Sequence, residues 1–135
     1  MQPVLVSVLA LLAAAPAAMP GPVSTPIAST GTTWSGQPFA VPPGSLQVIA
    51  QTTDIPAGGG LGVHKHPYPR FVYVLAGRLA VINDDTHETR TFEAGAFVVE
   101  VIGQWHHARV VGDQPVKLLV IDQVPPGAAN LVMKP

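Results

Sequence analysis

The 135-residue chain contains no cysteine. That absence excludes disulfides, thiolate metal ligands, cysteine nucleophiles and a lipid anchor carried on Cys. It also makes the fold indifferent to the redox state of its compartment. Charge is scarce: Asp, Glu, Lys and Arg make up 11% of the chain, against about 25% in an ordinary globular protein. Seven Lys and Arg face eight Asp and Glu, for a net charge of −1. Such a balance offers no basic patch to a phosphate backbone, so a nucleic-acid partner is not expected. The 13 Gly and 15 Pro punctuate the chain too often for long helices, which excludes a helical bundle. At roughly 150 residues per domain, one domain is expected.

No charged side chain precedes Asp54. Val4 to Ala15 (VLVSVLALLAAA) is apolar apart from Ser7, and shorter than the roughly 20 residues that a membrane-spanning helix needs. Its length suits the core of a signal peptide, and Ala15-Pro16-Ala17 supplies the small residues of a cleavage site. Met1-Gln2-Pro3 lacks the usual basic residue, which leaves a buried helix or an uncleaved anchor as the alternatives. The expectation is a leader over residues 1–18, a periplasmic or secreted location, and no stable membrane anchor after cleavage. Residues 19–33, rich in Pro, Gly, Ser and Thr, read as an extended linker.

Beyond Pro43-Gly44, short β-rich runs alternate with turn residues at even spacing. Strands are expected over 46–53, 61–66, 71–76, 78–82, 86–92, 96–102, 105–111 and 116–122, with breaks at Gly77, Asn83-Asp84-Asp85, Gly95, Gly103 and Pro125-Pro126-Gly127. Eight strands without helical periodicity predict an all-β sandwich or small barrel over 34–124, followed by a C-terminal tail over 125–135.

The histidines carry the functional signal. His64 and His66 stand two apart in an expected strand, so their side chains share one face of the sheet and are placed to share a metal ion. A third imidazole has to come from elsewhere, and His106 and His107 are the available sources. His87, in the charged segment DDTHETR, reads as solvent-facing.

Gly60 to Gly77 reads GLGVHKHPYPRFVYVLAG, and Gly95 to Val110 reads GAFVVEVIGQWHHARV. Together they resemble the two motifs of the cupin superfamily, the first built on Gly, H-x-H, Glu and Gly, the second on Gly, Pro-x-Gly and His. His64, His66, Pro67, Tyr73, Val74, Leu75 and Gly77 match the first, and Gly95, Gly103 and His106 match the second. Val101 replaces the proline and Val110 stands at the second motif's Asn. The resemblance implies a double-stranded β-helix, a jelly-roll barrel with its site inside, and a metal ligand set of His64, His66 and His106. The first motif's glutamate falls on Arg70, whose guanidinium cannot ligate a cation. Some cupin-like dioxygenases use three histidines without that glutamate.

Glu100 interrupts the apolar run FVVEVI, where an unpaired buried carboxylate is costly. The resemblance places it inward, as a fourth ligand or as a general base beside the metal. An ion pair with Arg70, or an edge strand with Glu100 in solvent, are the other readings. Arg70 lines the substrate pocket unless the Pro67–Pro69 corner turns it outward. Tyr68 and Trp105 are expected to flank the pocket mouth, and His107 to face away from it.

A three-histidine centre with open positions acts as a Lewis acid toward a chelating small molecule or dioxygen. The expected cofactor is one divalent transition metal: Fe, Mn, Zn, Ni or Cu. The leading expectation is a metal-dependent, dioxygenase-type enzyme. The alternatives are a non-catalytic periplasmic metal- or ligand-binding cupin, and a metal-free sugar-binding or isomerase-type cupin. A homodimer through the segment Trp34–Val41 is a further expectation from the resemblance.

Overall fold

The computed structural model describes residues 19–135, and the expected leader over 1–18 lies outside them. No helix is present among the described residues. The described residues form nine strands: β1 (Gln47–Ile55), β2 (Gly60–Lys65), β3 (Arg70–Ala76), β4 (Arg78–Asn83), β5 (Thr89–Glu93), β6 (Phe97–Val99), β7 (His106–Val110), β8 (Val116–Val124) and β9 (Val132–Met133). They form two antiparallel sheets, ordered β1-β8-β3-β6 and β5-β4-β7-β2-β9. This is the all-β jelly-roll barrel implied by the strand pattern and the two motifs.

The core lies between the sheets and follows from alternation along the strands. Val116, Leu118, Val120, Asp122 and Val124 of β8 are all buried, with more exposed residues between them. Leu118 and Val120, with Val72 and Val74 of β3, meet Leu79 and Val81 of β4 and Ala108 and Val110 of β7. Trp34 closes one side of this cluster, held by its backbone N–H on the Val99 carbonyl at 2.9 Å.

The turn residues explain most boundaries. Asn83 ends β4, and its side-chain oxygen accepts the N–H groups of Asp85 and Thr86, the local capping that makes Asn a turn former. Gly77 has φ 80°, and any Cβ there would run into the Pro115 carbonyl, so the β3–β4 link requires glycine. Residues 86–88, expected in a strand, belong to the turn before β5. The expected strand over 96–102 is only Phe97–Val99, which leaves Glu100 just outside it. The expected tail contributes β9, which pairs with β2 through His64↔Met133 and Lys65↔Val132.

Candidate metal centre

Two registers assemble the site. β2 and β7 pair with His64 directly opposite His106, and His66 follows two residues after His64 on the same face. The three rings come within 4.4–4.9 Å of one another, centroid to centroid. One ring nitrogen from each lies within 4.8 Å of the others, and all three residues are buried.

The opposite edge of each ring is held by the backbone. The Nδ1 atoms lie 2.6 Å from the Gly62 carbonyl, 2.8 Å from that of Asn130 and 3.0 Å from that of Gln104, for His64, His66 and His106 respectively. A carbonyl accepts only, so each Nδ1 carries the proton and each Nε2 presents a lone pair. Such anchoring fixes the tautomer and aim of metal-ligating histidines. Nε2 of His106 is buried without a hydrogen-bond partner, an arrangement that costs about 1–3 kcal/mol if left unmet. A cation at the convergence point supplies the missing partner, so this donor set fits a first-row divalent metal.

Burial also favours the neutral form of the three imidazoles. It is the largest influence lowering the basicity of His64 and His106. His66 is pushed down to about 2, by burial first and then by the Arg70 charge. Protons therefore compete for these nitrogens only below the usual imidazole range. Three ordinary imidazoles of pKa ~6.5 lose roughly 60–70-fold in metal affinity between about pH 8 and about pH 6. Here zinc affinity is expected to fall by clearly less than that over the same interval, read by competition with a chelator whose own protonation is known. A loss approaching the ordinary value would show that the rings are basic in solution.

Glu100 faces the same cavity and is 9% exposed. Its Oε2 lies 3.7 Å from His106 Nε2 and accepts a 3.4 Å hydrogen bond from Trp34 Nε1. Burial pushes its carboxyl above the usual range.

Arg70 lines the cavity too, but its partner is not Glu100. Arg70 stands opposite Asp122 in the β3–β8 register, and its Nε and Nη2 donate to the two Asp122 oxygens at 2.7 and 2.8 Å. The Arg70–Glu100 ion pair is thereby corrected, as is an Arg70 turned to solvent: its side chain is 13% exposed. Asp122 is a further residue of the site, and its phase with Val116, Leu118 and Val120 marks it as inward. Asn130 is another, in a Gly-Ala-Ala-Asn segment that has no periodicity to read. It is buried, donates to Asp122 Oδ1 at 2.7 Å, accepts from the Tyr68 backbone N–H at 2.8 Å, and through its carbonyl holds His66.

Tyr68 and Trp105 do not flank this cavity. β2 ends before Tyr68, so the two-residue alternation from His66 no longer applies, and Tyr68 lines a separate groove with Phe39, Pro67 and Ile102. Trp105 precedes inward His106, and the Lys65 Nζ lies over its ring at 4.5 Å. His107 pairs with Asp84 at 3.0 Å, and His87 is exposed in a turn at φ 62°; neither joins the centre.

A jelly-roll barrel with three converging inward histidines defines a class of β-barrel whose interior could hold a metal ion. The cupin domain family matches residues 51–122, more than half of the chain, and the chain belongs to that family. The solved structures agree. DMSP lyase DddQ from Ruegeria pomeroyi is 28% identical, with a TM-score of 0.57, over 73% of this chain and 47% of that one. An oxalate decarboxylase of Lactobacillus farciminis, in a formate complex, is 26% identical with a TM-score of 0.55, over 64% and 26%. The Cnp3 cupin domain of Schizosaccharomyces pombe, at 16% identity and a TM-score of 0.53 over 58% and 56%, shares the fold. The matched region thus spans about half or less of each of these chains. No curated protein matches the chain significantly.

Proposed function

We propose that this protein is a mononuclear metal-dependent enzyme, of dioxygenase type, that acts on a small molecule inside the barrel. The observation that carries the reading is the convergence of three buried, proton-free Nε2 atoms beside one carboxylate. When bound, a divalent ion supplies Lewis acidity and open positions for an anionic chelate and dioxygen.

The protein's own groups do the rest. The backbone carbonyls of residues 62, 104 and 130 hold the imidazoles in place. Glu100 stands 3.7 Å from a ligand nitrogen, within reach of a molecule seated between the rings. Its raised pKa suits a general base that takes a proton from the substrate head and returns it. Trp34 Nε1 holds the carboxylate from behind.

A second reading, proton abstraction followed by elimination, is supported by the same placement of Glu100 and by the likeness to a DMSP lyase. The two differ in their need for oxygen. Full-chain protein loaded with Fe(II), given a catechol, a β-diketone or a thiol, is expected to consume dioxygen. Turnover that proceeds equally well without oxygen favours the lyase reading. Failure to retain any first-row metal would sink both. Glu100→Gln is expected to keep most of the metal, because three imidazoles remain, while turnover falls by about 100-fold or more, the scale of general-base catalysis. If the metal leaves with the charge, Glu100 is a ligand instead.

A further inference from the structure

The cavity before His64 and His66 measures about 240 Å³, less than the roughly 300–1,000 Å³ of pockets that hold drug-sized ligands. His64, His66, Glu100 and Arg70 line it on the polar side, with Gln51 and Thr53 of β1 adding two uncharged polar side chains. Leu61, Val72, Leu118, Val120, Leu131 and Met133 supply the remaining side chains. Leu131 and Met133 are 49% and 54% exposed. They are held there because buried Asn130 is pinned by Asp122 and Tyr68 and because β9 pairs with β2.

Charge in this cavity is nearly spent. The Arg70 guanidinium is neutralised by the two-pronged contact with Asp122. Among the described residues, no other Lys or Arg lines the cavity. One anionic group can sit on a bound cation, whereas a second would meet apolar side chains with no cation left to receive it.

We propose that the site takes a small ligand with one metal-binding head, of at most a single negative charge, and a compact apolar body. The body lies against Leu118 and Val120 and is covered by Leu131 and Met133, which set the specificity. Small dicarboxylates are excluded. This inference rests on the metal reading above for the head of the ligand, and on the apolar lining for its body.

The test uses n-alkanoates from acetate to hexanoate, each matched with the dicarboxylate of equal carbon number. They are titrated by NMR against the full chain, zinc-loaded and metal-free, with zinc content measured separately. The expected result is a gain of about fourfold in affinity per added methylene, the equivalent of ~0.8 kcal/mol, with each dicarboxylate weaker than its monocarboxylate partner. Leu131→Asp and Met133→Asp are expected to flatten that slope while zinc content stays unchanged. A flat slope in the unmodified protein, or tighter binding of the dicarboxylates, overturns the proposal. If the chain takes up no zinc, the metal reading fails; a slope in the metal-free protein then still upholds the apolar body, and its absence overturns it.

Discussion

Replacing any one of His64, His66 and His106 with alanine is expected to weaken zinc or cobalt binding by more than about 100-fold, because loss even of the groups behind metal ligands costs about 10–100-fold. The three are equivalent in geometry: each is buried, each offers one nitrogen to a common point, and each is fixed from behind by a carbonyl. Removing one leaves two imidazoles, too few for a closed first shell without recruiting Glu100 or water. His87→Ala and His107→Ala serve as controls. The first removes a ring from an exposed turn, the second a ring paired with Asp84 on the other face, and both are expected to stay within about twofold of the parent, well inside the effect of losing a partner behind a ligand. The measurement is competition against a chromophoric chelator at fixed pH. Equal losses from all five substitutions would show that the metal is held elsewhere.

The largest effect on stability is expected at Asp122. This carboxylate receives two hydrogen bonds from Arg70 and one from Asn130, and both ions of the pair are largely buried. Asp122→Ala leaves a guanidinium in the barrel without its counter-charge, a loss of about 3–5 kcal/mol. In a domain of this size that lowers the melting temperature by at least about 12 °C. The same substitution frees Asn130, so His66 loses part of its anchorage. Adding Arg70→Met removes the orphaned charge and is expected to recover a large share of the lost stability, since buried pairs replaced by apolar groups are often neutral. Thermal unfolding of the two single variants and the double variant decides the matter. Simple additivity of the two losses would mean that Arg70 and Asp122 do not depend on each other. Glu100→Gln, by contrast, leaves the Arg70 pairing intact.

How much of this was readable in the chain depends on the range of the interactions involved. The strands over 46–124 were legible because alternation and turn residues are local signals, and the H-x-H pair was legible because the two-residue period of a strand fixes its face. The choice of His106 over His107 needed the motif, since adjacent residues differ only in which face they take. Arg70 shows the limit. A charge facing a barrel interior announces that it needs a partner, but the choice between Glu100 and Asp122 is made by the β3–β8 register, which places Asp122 opposite Arg70. Asn130 was out of reach for a similar reason: its role arises from a chain reversal that brings residue 130 beside residue 66, and nothing local records it. Tyr68 and Trp105 lie apart from the cavity for reasons no local pattern records: β2 ends before Tyr68, which lines a separate groove, and Trp105 lies under the Lys65 side chain.

The pairing of β2 with β7 and β9 has a consequence for the order of events in folding. His64 meets His106 only after some forty intervening residues have closed, and Asn130 reaches His66 across a still longer loop. Contacts so distant along the chain form slowly, because loop-closure entropy is lost before any contact repays it. A bound ion or ligand engages only the assembled site, so its stabilisation is expected to slow unfolding more than it speeds folding.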